Sequence, residues 1–315
     1  MRTTHAGIAA IVIASLLWGT TGTASALAPS VSAITVGAGA MGIGGLLQIA
    51  VNGRTLVRER AILLARCGLA VFGGVCVAVY PLAFYSSMRI GGVALGCVVS
   101  LASAPLASAV IERLCDGRAL TRRWAVACCF GVVGAAMLSL SRHSGADTAG
   151  PNSAVLGVVL GLVAGGTYAG YSWAMRRLMA HGASRGASAA SVLGIGGILL
   201  MPLFVATGGA VFASPSGLAV IAYLAVLPMF VGYVLFSYGL AHVDATSATT
   251  ITLLEPAAAT LLSVAILHET VGGFGWAGMA FIALALVVLA YPTPGTGAAE
   301  RREPFALRRV AAYFY

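Results

Sequence analysis

Glu255 is the side chain whose position most invites chemistry. It lies near the centre of an apolar run from 245 to 267 and is the sole acid at that depth. A charge at the middle of a bilayer costs about 3 kcal/mol on insertion scales. A carboxyl held there takes up and releases a proton, or holds a cationic solute. The plain alternative is a neutral, structural glutamate hydrogen-bonded to a neighbouring helix. Pro256 follows it, and Pro105 sits mid-run in an earlier segment. Each proline removes a helical hydrogen bond, so Pro256 frees the carbonyl of Thr252 and Pro105 that of Leu101. Unpaired backbone is costly in hydrocarbon unless it lines a wet cavity, and a matched pair of such breaks points to one.

Polar and aromatic residues that suit solute contact lie in the surrounding runs. Thr249, Thr250 and Thr252 precede Glu255, and Ser100 and Ser103 occupy the related stretch before Pro105. Trp18, Thr20 and Thr21 fall in the first run, and Tyr80, Phe84 and Tyr85 in the third. Thr167, Tyr168, Tyr171 and Trp173 fall in the sixth, and Tyr233, Ser237 and Tyr238 in the eighth. For the aromatic residues the competing role is interfacial anchoring.

Other patterns are weaker. Gly37-x-Gly39-x-x-Gly42 matches a dinucleotide fingerprint in letters only, because it has no preceding strand and no acid at the right distance. Close helix packing explains it, as it does Gly161-x-x-x-Gly165. Glu112 and Asp116, one turn apart and flanked by Arg113 and Arg118, read as a solvated ion cluster. His242 and Asp244 fall in a short turn where a gating role is open. Six cysteines without a CxxC pair read as packing residues. No metal site, Walker loop or cofactor motif is indicated.

The elements that must position these groups are membrane spans. Of 315 residues, 59% are apolar and only 9% charged, with mean hydropathy +0.97. A soluble domain carries roughly a quarter charged residues, so most of this surface must face lipid. Ten runs without charge stand out: 7–27, 33–51, 67–87, 92–111, 124–141, 155–175, 187–207, 217–239, 245–267 and 272–291. Arg2, an apolar core and Ala24-Ser25-Ala26 resemble a signal peptide. Its removal would destroy the repeat described below, so the segment is read as a span.

All basic residues are arginine, and the net charge is +9. With the N-terminus in the cytoplasm, sixteen arginines fall inside and two, Arg89 and Arg142, outside. The cytoplasmic set includes Arg301, Arg302, Arg308 and Arg309 of the tail. This positive-inside split places both termini in the cytoplasm of a multi-pass plasma (inner) membrane protein. It also accounts for the basic balance without nucleic acid.

Segments 1–148 and 149–292 superpose as sequences, followed by a basic tail, 293–315. Gly117-Arg118 and His268-Glu269 each come twelve residues after the matched prolines. Phe84-Tyr85-Ser86-Ser87-Met88 corresponds to Leu235-Phe236-Ser237-Tyr238-Gly239. Five spans per half is an odd number, so the halves enter the membrane in opposite senses. Such inverted repeats place a binding site near the midplane. The expected fold is an all-α membrane protein of ten transmembrane helices in two inverted five-helix repeats.

Leu16-Leu17-Trp18-Gly19-Thr20-Thr21-Gly22, Leu254-Glu255-Pro256 and Leu267-His268-Glu269 carry a family likeness. On them the chain resembles the drug/metabolite transporter superfamily, in its ten-helix EamA-type branch. The likeness covers 7–291. It departs where the family's glycine-glutamate endings become Gly117 without the acid and Glu269 without the glycine. The resemblance implies a secondary transporter that works by alternating access and exports a small solute such as an amino acid or amine. It also implies that the fifth and tenth helices pack outside the central cavity. Proton antiport through Glu255 is the further expectation. A passive facilitator is the alternative; an intramembrane enzyme would need a second catalytic group beside Glu255. The expected partners are a small-molecule solute and the bilayer, and nothing in the sequence sets an oligomeric state.

Overall fold

The computed structural model describes residues 2–91, 93–117, 119–141, 151–267 and 272–290. Arg118, Arg142, His268, Glu269, the 148/149 boundary and the tail with its four arginines lie outside the described residues. Ten helical segments run in succession. They are α1 (Arg2–Ala26), α2 (Ala33–Arg58), α3 (Cys67–Gly91), α4 (Val93–Cys115), α5 (Arg122–Ser141), α6 (Pro151–Ala180) and α7 (Arg185–Thr207). Then come α8 (Pro215–Leu240), α9, in two pieces Ala245–Ile251 and Leu254–Leu267, and α10 (Gly273–Ala290). Short helices Arg60–Ala65 and Gly209–Phe212 fill two connections. Among the described residues there is no strand.

Eight of these segments are long and apolar enough to cross a bilayer, and α10 is a shorter apolar helix. α5 has 20 residues. Several helices outrun their apolar segments: α2 continues through Arg54 to Arg58, and α6 through Arg176 and Arg177 to Ala180. Arginine tolerates this because its stem lies along apolar surface while its head reaches water. Half-buried and exposed side chains such as Leu106, Val110, Val159 and Leu162 form the outer wall. The interior is built on Ile11, Tyr171, Met175, Leu193, Phe236 and Ile251, drawn from both halves into one cluster.

The packing obeys an exchange of the two halves. Exchanging each helix with the one five places on maps α3 on α6 to α8 on α1, and both pairs pack closely. The same exchange relates α4 on α6 to α9 on α1, and α3 on α7 to α8 on α2; all of these are observed. Two further extensive contacts, α2 on α7 and α5 on α10, map onto themselves and so straddle the axis. Five crossings per half then require the halves to be oppositely oriented. α5 and α10 form a pair to one side, where Arg123 Nε donates to the Val288 carbonyl at 2.6 Å and its Nη2 donates to Leu289. A cation at the end of a helix offsets the partial negative charge of its last carbonyls.

The α2–α7 crossing is where small residues are indispensable. A methyl on Gly197 would stand 2.7 Å from the Gly42 carbonyl oxygen and 3.2 Å from the Gly45 Cα. Gly197→Ala is therefore expected to destabilise the protein by about 1–3 kcal/mol, the usual cost of overpacking. Gly53→Ala, where nothing lies within 4 Å, should be neutral or gain about 0.5–1 kcal/mol from helix propensity. Thermal unfolding in detergent checks the opposite signs.

Candidate functional site

Among the described residues, two of the ten helical segments are interrupted. In α9 the helix stops at Ile251 and restarts at Leu254, ahead of Pro256. The Thr252 carbonyl freed by that proline is not left bare, because the Glu255 N–H donates to it at 2.9 Å. The restart puts Glu255 in the first turn of a half-helix, where unpaired N–H groups favour an anionic or hydrogen-bonding group. α4 behaves differently: it remains helical through Pro105 from Val93 to Cys115. The expectation of two matched breaks is thus corrected to one break and one continuous helix.

The other interruption was not expected from the sequence. Residues Ala225–Val231 of α8, containing Pro228, form a π-helical stretch. Side chains from the other half meet its carbonyls: Trp18 Nε1 donates to Pro228 O at 2.9 Å, and Gln48 Nε2 to Phe230 O at 3.0 Å. Pro228 in the eighth run was the available signal for it. Gly232 makes room for the indole, since a methyl there would lie 2.8 Å from Trp18 Nε1. Gly19 likewise lets α1 approach α9, where a methyl would lie 3.1 Å from the Glu255 carbonyl oxygen.

A cavity of about 440 Å³ lies against these features, within the ~300–1,000 Å³ range of small-ligand sites. Trp18 and Thr21 of α1, Phe84 and Tyr85 of α3, and Glu255 and Pro256 of α9 line it. Met88, Cys97, Ser25 and Thr260 also line it, and sequence reasoning had not singled them out. Its rim includes the exposed residues Gly22, Ala26, Pro29 and Ala33, at the end of α1 and the start of α2. That is the face carrying Arg89, opposite the one where Arg54, Arg113, Arg122, Arg177 and Arg185 gather.

Several expected lining residues instead form the wall behind it. Tyr168 is buried, and its hydroxyl donates to Thr252 Oγ1 at 2.9 Å. The Tyr171 and Tyr233 hydroxyls share a hydrogen bond of 2.8 Å. Tyr80 stacks on Phe84 at 5.8 Å between ring centroids and packs on Tyr168 at 5.6 Å. Trp18 joins this aromatic wall through Tyr233 and Phe236, at 5.0 and 5.2 Å. Others stand outside the lining. Thr20 accepts from the Tyr223 hydroxyl at 2.9 Å, and Ser103 donates to Ser100 O at 3.3 Å. Thr167 donates to Val163 O and Ser237 to Val234 O, each within its own helix. Pro105 is buried inside α4.

Tyr238 belongs to a second cavity, of about 950 Å³, on the arginine-rich face. Arg185 lies 4.7 Å over the Tyr238 ring. Asp116 accepts from Trp173 Nε1 at 2.9 Å and pairs with Arg177 at 3.2 Å. Arg176 donates to the carbonyls of Leu240 and Val243 at the end of α8. Glu112, read from sequence as part of a solvated cluster with Asp116, is buried instead. It accepts from the Ala245 N–H at 2.9 Å and from the Thr246 hydroxyl at 2.5 Å. Asp244 caps the same helix start, accepting from Ser247 N–H at 2.6 Å. The reason is tertiary: the beginning of α9 arrives beside the end of α4. Among the described residues no group of three or more His, Cys, Asp or Glu could hold a metal.

Comparison with known proteins agrees with this architecture. Residues 5–140 and 155–291 each match the EamA-like transporter family. The chain is 31% identical over 283 residues to the "Uncharacterized transporter YwfM" of Bacillus subtilis (strain 168), covering 89% of this chain and 92% of that protein. A crystal structure with 21% identity superposes with a TM-score of 0.74, over 92% of this chain and 96% of its own, and shows likeness of fold.

Trp18→Phe keeps an aromatic ring but leaves the Pro228 carbonyl without its indole donor. A buried acceptor left unpaired costs about 1–3 kcal/mol. The variant should unfold at a lower temperature than the parent in the same detergent, and an unchanged midpoint would remove this bond from the account of α8.

Proposed function

The chain belongs to the EamA-like transporter family, and from that premise we propose that it is a secondary transporter exporting an amino acid or amine by alternating access, with Glu255 as its coupling group. The observation that carries this reading is the placement of Glu255. It sits in the first turn of a broken helix and lines a cavity of about 440 Å³. Cavity-lining carboxyls at such a break bind what the lipid excludes.

The walls favour an ammonium-bearing solute. Trp18, Phe84 and Tyr85 line the same space as the carboxyl, and aromatic faces attract cations when water is excluded. A protonated amine and a proton would then compete for Glu255, which couples export of one to entry of the other. The repeats are 1–148 and 149–292, and the tail 293–315 extends from the second. The arginine-rich face is cytoplasmic, as the positive-inside distribution supports, which puts both termini on the cytoplasmic side of the plasma (inner) membrane.

Glu255→Gln keeps the shape of the side chain and removes its titration. The variant should reach the membrane at parental levels and lose solute movement driven by a pH gradient in proteoliposomes. Coupling that survives the substitution would remove Glu255 from this role.

A further inference from the structure

Three of the elements that line the two cavities are related by the exchange of halves. The first cavity is lined by the end of α1, the start of α2, the end of α3 and the middle of α9. Exchanged, these become the end of α6, the start of α7, the end of α8 and α4. The first three of these line the second cavity through Trp173, Ser184 and Arg185, and Tyr238. The fourth does not correspond, because α4 contributes Asp116, just past its last residue, and not the stretch around Pro105. The two spaces lie at opposite ends of α4, since Cys97 lines one and Asp116 the other.

Along α4, between Asp116 of the second cavity and the stretch around Pro105, lies a polar seam to the start of α9. Glu112 is 2% exposed, and its two oxygens accept from Ala245 N–H and Thr246 Oγ1 of α9. One turn deeper, Thr249 Oγ1 donates to Ser108 Oγ at 3.2 Å, and both residues are buried. The seam therefore caps the first turn of α9 with an acid borrowed from another helix. Such charge-assisted bonds at a helix N-terminus are among the stronger polar contacts. Aligning the halves on Pro105 and Pro256 sets Ser263 opposite Glu112, and Ala94 and Leu95 opposite Ala245 and Thr246. Those positions contain no acid, so the exchange-related seam on the other face has no counterpart to Glu112.

We propose that the arginine-face cavity is the second mouth of the solute pathway and that Glu112, docked on the start of α9, is the latch that keeps it shut. Because only one face carries the acid, the resting protein opens towards the Arg89 face, and reaching the other state requires α9 to part from Glu112. This rests on the transport reading for its purpose, but the latch itself is a statement about two helices.

The test uses full-length protein in proteoliposomes with native cysteines other than Cys97 replaced by alanine. Ser108→Cys is added in a parallel sample as a reporter one turn deeper, in both the parent and the Glu112→Ala backgrounds. The loss of the Thr249–Ser108 contact is then common to the two. A membrane-impermeant methanethiosulfonate is supplied to both faces, and the modification rate of each thiol is measured. Glu112→Ala should raise the rate at position 108 about tenfold, the shift expected for losing a charge-assisted bond, without raising it at Cys97. An unchanged rate at position 108 overturns the latch. A parallel rise at both thiols would mean general loosening and also counts against it, unless Thr246→Val, which removes a single hydroxyl donor, raises position 108 alone. Flux of a radiolabelled amine through vesicles of the parent protein separates the two ideas. Flux with no change at position 108 sinks the latch and spares the transport reading; a selective rise without flux does the reverse.

Discussion

Backbone polar groups in a bilayer have no water to fall back on, and that constraint organises this molecule. Every place where a helix departs from its regular ladder must be answered by a donor from elsewhere. The π-helical stretch around Pro228 is answered by Trp18 and Gln48, which come from the other half of the chain. The break before Pro256 is answered by the Glu255 N–H and steadied by the Tyr168 hydroxyl on Thr252. These partners draw α1, α2 and α6 to the irregular parts of α8 and α9. The cavity opens beside the break in α9, with Trp18 serving both as a donor to the backbone of α8 and as a wall.

The exchange of halves relates much of what surrounds the two cavities described and locates where they differ. The fold imposes the same helix neighbours on both faces, so a space on one face has a related space on the other. Sequence then breaks the symmetry. Glu255 has Ala104 as its counterpart beside Pro105, and Glu112 has Ser263. One acid lies in the deep cavity and the other holds the opposite face together. Two equivalent faces would leave neither state preferred, and this inequality removes that degeneracy.

The all-helical membrane fold and its two repeats were legible in the sequence, because each depends on local composition or on a count, and so was the position of Glu255 beside Pro256. Arginine placement marks the faces without any knowledge of packing. Pro256 announced its break through proline's missing N–H, yet Pro105 has the same chemistry and its helix continues. Whether a proline breaks a helix is decided by what packs around it, which spacing does not report. Tyr238 could have been assigned to the arginine face by counting residues from Arg185's end of the bundle. Glu112 could not have been read: its partner is 133 positions away, and its neighbours Arg113 and Asp116 suggested water instead. The aromatic residues divided into cavity lining and supporting wall only when helix rotation was known.

In the proposed mechanism solute and proton share the space around Glu255. Concentrative movement of a panel of amino acids and amines in proteoliposomes, with and without an imposed pH gradient, tests it most directly. At least one amine-bearing solute should accumulate beyond equilibrium when the gradient is present and only equilibrate when it is collapsed. Equilibration at the same rate with or without the gradient would contradict it and leave a passive facilitator.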